Sequence, residues 1–161
     1  MDEPTIPPRG ASVWERQMFE HLTEHTRREG AMLSEYAAIA EATESKALQY
    51  VINLLLEDER RHHRYFNELA ASLKSEAELS ADDPVVPRLD LDRVDRTVLR
   101  ATTDRLLDHE KADAKELERL RKELRDVKDT TLWGLLVDIM QRDTEKHIAI
   151  LRFVQQHTSS R

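Results

Sequence analysis

The sequence predicts an all-α protein, a four-helix bundle made of two antiparallel hairpins joined by a long crossover. Three observations carry that expectation. Of 161 residues, 35% are charged and 39% apolar, with only three Gly and five Pro, which is the balance of long amphipathic helices. Apolar residues recur by threes and fours through four segments, and no alternation of period two persists anywhere. Two of the breaks between segments are short and one is long. A chain of this length has room for one domain with a real core and little more.

MDEPTIPPRG, with Pro4, Pro7 and Pro8, reads as a flexible tail over 1–11. Ser12 followed by Glu15 has capping-box spacing and opens a first helix at about 12–43. Its stripe is Met18, Leu22, His25, Glu29, Met32, Tyr36 and Ile39. Ser45 is placed to cap the second helix, about 45–74, whose stripe is Ile52, Leu55, Glu59, His62, Phe66, Leu69 and Leu73. SEAELSADDPVVPRLD, 75–90, holds two prolines and several turn formers and is expected to be a connection. Asp90 or Asp92 then starts a third helix, about 91–128, through Leu99, Leu106, Leu117, Leu120, Leu124 and Val127. The chain turns at Asp129-Thr130-Thr131, and the fourth helix covers about 130–157 and closes a bundle spanning 12–158.

The two short breaks make two antiparallel hairpins. Between them, about sixteen extended residues can reach roughly 50 Å, whereas a thirty-residue helix is about 45 Å long. The connection is long enough to cross the whole bundle and leave helices two and three parallel. A loop between antiparallel neighbours is the alternative.

Charge and composition exclude several classes. A formal net charge of −7 argues against a nucleic-acid partner, which clustered Lys and Arg would serve. No apolar run approaches the roughly eighteen residues that span a bilayer, and the acidic start lacks a signal peptide's apolar segment. The absence of cysteine removes disulfides, iron–sulfur clusters and thiolate metal sites. A cytoplasmic protein is expected.

Each stripe is interrupted at mid-length by polar residues. Helix one carries Glu29, helix two Glu59 and His62, helix three Glu110 and Asp113, and helix four Asp143 and His147. Within each hairpin these positions lie at similar distances from the turn, so the four helices are expected to aim them at one layer. A buried unpaired carboxylate costs several kcal/mol or takes up a proton. A bound cation turns the mutual repulsion of such groups into shared coordination. Carboxylates with a few imidazoles suit iron or manganese, and suit zinc less distinctively. Glu and His three apart stand on one helical face and can serve one cation or two neighbours.

Glu29 followed by Glu59-Arg60-Arg61-His62 resembles the first half of the ferritin-like di-iron carboxylate proteins, such as rubrerythrins and bacterioferritins. Those proteins present a Glu on helix one, Glu-x-x-His on helix two, a Glu on helix three and Glu-x-x-His on helix four. Tyr36, seven residues after Glu29, is also similar to the rubrerythrin pattern. In the second half, Thr144 stands three before His147 where the family has Glu, and Asp143 is the substitute on the same face. Glu110 is the family-like residue on helix three, with Asp113 its rival. His25, one turn before Glu29, lines the same stripe as a lesser candidate ligand or a satisfied core histidine.

The resemblance implies two iron ions held by Glu29, Glu59, His62, Glu110, Asp143 and His147, reacting with O2 or H2O2 as a ferroxidase or peroxide-reducing protein. A metal-free bundle serving as an interaction module is the alternative, with Thr144 its best support. A hydroxylase on the same scaffold is a third. A further face carrying Trp14, Phe19, Leu48 and Leu56 has no partner within the expected bundle, which points to a homodimer or higher homo-oligomer.

Overall fold

Caps and turns set the element boundaries. The computed structural model describes residues 6, 7, 9–77, 85–87, 89–91 and 94–158, and every regular element among them is helical. The capping box is present: Glu15 N–H donates to Ser12 Oγ and Ser12 N–H to the Glu15 carboxylate, and α1 runs Val13–Ala42. Ser45 Oγ accepts from Leu48 N–H at 3.3 Å at the start of α2, Lys46–Ala77. α3 spans Arg96–Glu123, and α4 spans Thr131–Thr158. Of the tail expected at 1–11, residues 1–5 and 8 lie outside the described residues, and Ala11 is buried.

Three boundaries differ from the sequence expectation. α2 continues past 74 to Ala77. The cap of α3 is Asp95, whose side chain accepts from Thr97 and Val98 N–H, rather than Asp90; Asp92 lies outside the described residues. α3 stops at Glu123 instead of 128 and tightens into a 3-10 turn at Leu124–Asp126. The reason is local. The Thr130 hydroxyl holds the carbonyls of Leu124 and Val127, and Asp129 takes the left-handed conformation (φ 60) that Asp tolerates better than most residues. Of the crossover expected at 75–90, residues 78–84 and 88 lie outside the described residues. Val86 N–H donates to Ser72 Oγ at 2.7 Å, tying that stretch to α2.

The chain divides into two compact units, Met1–Leu89 and Asp90–Arg161. In the first, α1 packs along α2; in the second, α3 packs along α4. The short connections make each pair an antiparallel hairpin. Among the described residues no helix is long and apolar enough to cross a membrane.

The first hairpin has two apolar clusters. Ala40, Ile52 and Leu56, with Leu33, Tyr36 and Ala37, lie towards the turn. Phe19, Leu22 and Ala70, with Phe66 and Leu73, lie towards the open end. Phe19 and Leu56, assigned above to an outward dimer face, are therefore core, whereas Trp14 and Leu48 are exposed. Side chains of the expected core stripes, Met32, Ile39, Leu55 and Leu69, are exposed instead.

In the second hairpin side-chain hydrogen bonds link α3 and α4. Arg121 donates to Asp138 at 2.6 Å, and Gln155 donates to Asp104 at 2.7 Å. Its buried residues include Thr103, Leu107, Val137 and Thr144.

Candidate metal centre

The level between the two apolar clusters of the first hairpin holds Glu29, Glu59 and His62. One ligand atom from each lies within 4.8 Å of the others. A first-row cation with bonds of about 2.0–2.2 Å draws its ligand atoms to within roughly 3–4.4 Å of one another. Small side-chain rotations therefore close the group around an ion. The i,i+3 spacing puts Glu59 and His62 on one face of α2, with His62 Nδ1 3.6 Å from Glu59 Oε2. The hairpin places Glu29 opposite them because it stands at a similar distance from the turn.

Burial is graded across the group. The Glu29 side chain is 16% exposed, Glu59 30% and His62 49%, so the acid on α1 is the deepest. Glu29 Oε1 lies 2.9 Å from His25 Nε2. Glu29 Oε2 is buried with no hydrogen-bond partner among the described residues. A cavity of about 290 Å³ adjoins it, lined by His25, Leu33, Tyr36, Leu55 and Glu59 among others. A buried carboxylate oxygen left unpaired costs on the order of 1–3 kcal/mol, and a cation beside it would remove that cost. The donor set, two carboxylates and an imidazole, suits iron, manganese or zinc.

Gly30 sits next to Glu29. A Cβ there would lie 3.9 Å from His63 Nε2, an ordinary contact. Close approach of the helices is therefore not what places a glycine at this position.

The second hairpin brings together Glu110 and His147, with His147 Nδ1 3.3 Å from Glu110 Oε1 across α3 and α4. They line an open groove of about 640 Å³ with Asp113, Glu116, Asp143 and Thr144. Glu110 is the carboxylate that meets the histidine, while Asp113 is an exposed wall residue. Asp143 is bound by Lys146. Thr144, three residues before His147, is buried and offers a short uncharged side chain. Glu116 also lines the groove and was not singled out from the sequence. Its spacing of three from Asp113 was the available signal, masked by the charged run around it.

The structure thus brings the candidates together as two groups, one within each hairpin: Glu29, Glu59 and His62 with His25, and Glu110 and His147 with Asp143 nearby. No protein-family model, curated protein or solved structure matches this chain.

Proposed function

We propose that the protein is a ferritin-like metal-binding protein that holds iron through carboxylates and histidines and acts as a ferroxidase or peroxide-reducing protein in the cytoplasm. The observation that carries this reading is Glu29 Oε2, a buried, unpartnered oxygen beside Glu59 and His62. In each hairpin the stripe that carries the polar groups also leaves apolar residues exposed. Met32 and Leu55 are such residues in the first hairpin, and Leu106 and Met140 in the second.

In this reading Glu29, Glu59 and His62 hold one ion, and Glu110 and His147 supply the ligands of a second. Asp143 substitutes for the carboxylate that Thr144 lacks once it leaves Lys146. Leu33 and Tyr36 wall the cavity beside Glu29. When bound, a pair of ferrous ions supplies two electrons together for the reduction of dioxygen or hydrogen peroxide. Manganese or zinc would satisfy the same donors.

The experiment is metal analysis of protein expressed with added iron. The expected result is at least one equivalent of bound metal, lost in a Glu59→Ala/His62→Ala variant. Less than about half an equivalent (below one full site of the two-metal kind), unchanged in that variant, overturns the reading.

A second reading, a bundle that has given up its metal and serves as an interaction module, draws on Thr144 and on the Asp143–Lys146 pair. It expects Leu or Ala at the polar positions to leave stability intact or improved. Metal-dependent thermal stabilisation that disappears in those variants counts against it.

A further inference from the structure

We propose that His25 is a positioning residue for the metal site: it holds Glu29 through Oε1, so that Oε2 alone is offered to the cation. The inference rests on the metal-binding reading above and deepens it.

His25 lies one helical turn before Glu29, and its Nε2 is 2.9 Å from Glu29 Oε1. A carboxylate that is to bind a cation is ionised and can only accept, so the imidazole donates from Nε2–H. The ring is fixed from a second side. Phe66 on α2 packs against it with centroids 3.9 Å apart and planes inclined by 36°. Phe66 is itself packed on the apolar cluster of Phe19, Leu22 and Ala70. The chain of support therefore runs from the hairpin core through Phe66 to His25 and on to Glu29.

The consequence is a division of labour between the two oxygens of one carboxylate. Oε1 is committed to His25, while Oε2 is buried and has no partner among the described residues. A carboxylate so held binds through one oxygen rather than two, and its orientation is set before the ion arrives. His25 is not itself a ligand in this arrangement, because the nitrogen nearest the group is occupied by Glu29. Partners that orient ligands in this way typically change metal affinity by roughly 10–100-fold when removed.

The test is a titration of metal-free, full-length protein with Co2+, read by visible absorption, for wild type, His25→Gln and His25→Leu. Gln retains an N–H donor near the position of Nε2, and Leu preserves apolar contact with Phe66 but donates nothing. Circular dichroism of the metal-free variants checks that both keep their helix content. The expected result is that His25→Gln binds Co2+ within about threefold of wild type, while His25→Leu binds about 10–100-fold more weakly. Band positions stay the same in all three proteins, since no ligand is lost. Unchanged affinity in His25→Leu overturns the positioning role while leaving the metal site standing. Equal loss in both variants with shifted bands also overturns it, because His25 would then be a ligand. Failure of the wild type itself to bind Co2+ removes the metal-binding reading, and this inference with it.

Discussion

Arg121 on α3 reaches Asp138 on α4 at 2.6 Å by lying across Gly134, where a Cβ would stand 3.0 Å from its Nη1. The glycine leaves room for the ion pair, and the two contributions can be weighed. Side-chain exposures of 39% and 48% limit the pair to about 0–1 kcal/mol. Glycine inside a helix costs about 1 kcal/mol relative to alanine. Gly134→Ala is therefore expected to push the guanidinium aside and leave stability within about 0.5 kcal/mol of wild type. A double-mutant cycle between Arg121 and Asp138 by denaturant unfolding should give coupling in the wild-type background and none once Gly134→Ala is introduced.

Gly30 behaves differently. A Cβ at this position meets His63 Nε2 at 3.9 Å, ordinary van der Waals contact, and nothing else has to move. Gly30→Ala is expected to stabilise the protein by about 1 kcal/mol through helix propensity alone. Its unfolding midpoint in urea should rise with no change in slope. A fall would show that the glycine has a role that its surroundings do not reveal.

The four helices were legible because amphipathic period and cap chemistry are local. Ser12 with Glu15 is a self-contained signal, and its bonds are present. Equal distance from a turn also fixes height in an antiparallel pair, and Glu29 lies near Glu59, as Glu110 does near His147. The side on which a neighbouring helix packs was not legible. α1 and α2 each carry apolar residues on two flanks, and spacing does not say which flank closes inside the hairpin. Phe19 and Leu56 thus turned out to be core, while Met32 and Leu55 are exposed. The start of α3 is expected from sequence at Asp90 or Asp92, whereas the cap is Asp95, which is chemically equivalent to them. Only the bonds from Thr97 and Val98 N–H single out Asp95.

Among the described residues after α2, Val86 N–H donates to the buried Ser72 hydroxyl at 2.7 Å. Ser72→Ala removes the acceptor while leaving the helix intact. Val86 is exposed, so water can replace the lost partner and the cost should be about 0.5–1.5 kcal/mol. The more sensitive readout is limited proteolysis, in which cleavage near residue 86 should become faster in the variant while the helices remain protected.

Glu15 gives the fold an acid-sensitive end. Its bond with the Ser12 side chain, and next the Ser12 backbone N–H, hold its carboxyl below the ordinary 4.5. Arg27 does the same for Glu24, and Lys122 for Glu118. Because the folded values are lowered, the unfolded chain binds protons more readily. The contribution is complete above pH 4.5 and is lost as pH falls from 4.5 through the lower folded values. Thermal unfolding should therefore drop over that interval, and Glu15→Gln should flatten part of the drop. Added salt should weaken the Glu24 and Glu118 contributions, which are charge pairs, and spare that of Glu15, whose partners are neutral.

Glu29 should show opposite effects on stability and on binding. Its Oε2 is buried without a partner, which costs on the order of 1–3 kcal/mol in the metal-free protein. Glu29→Leu removes that cost. His25 loses its partner, but its side chain is 34% exposed and water can take the place of the carboxylate. The metal-free variant is thus expected to be more stable than wild type by about 1 kcal/mol. With Fe2+ or Co2+ at about 100 times its dissociation constant, the wild type should gain about 2.7 kcal/mol, and the variant little or nothing. Denaturant midpoints with and without metal check both halves. A Glu29→Leu protein that is less stable without metal would mean that the carboxylate is paired in solution. One that is still stabilised by metal would place the ion elsewhere.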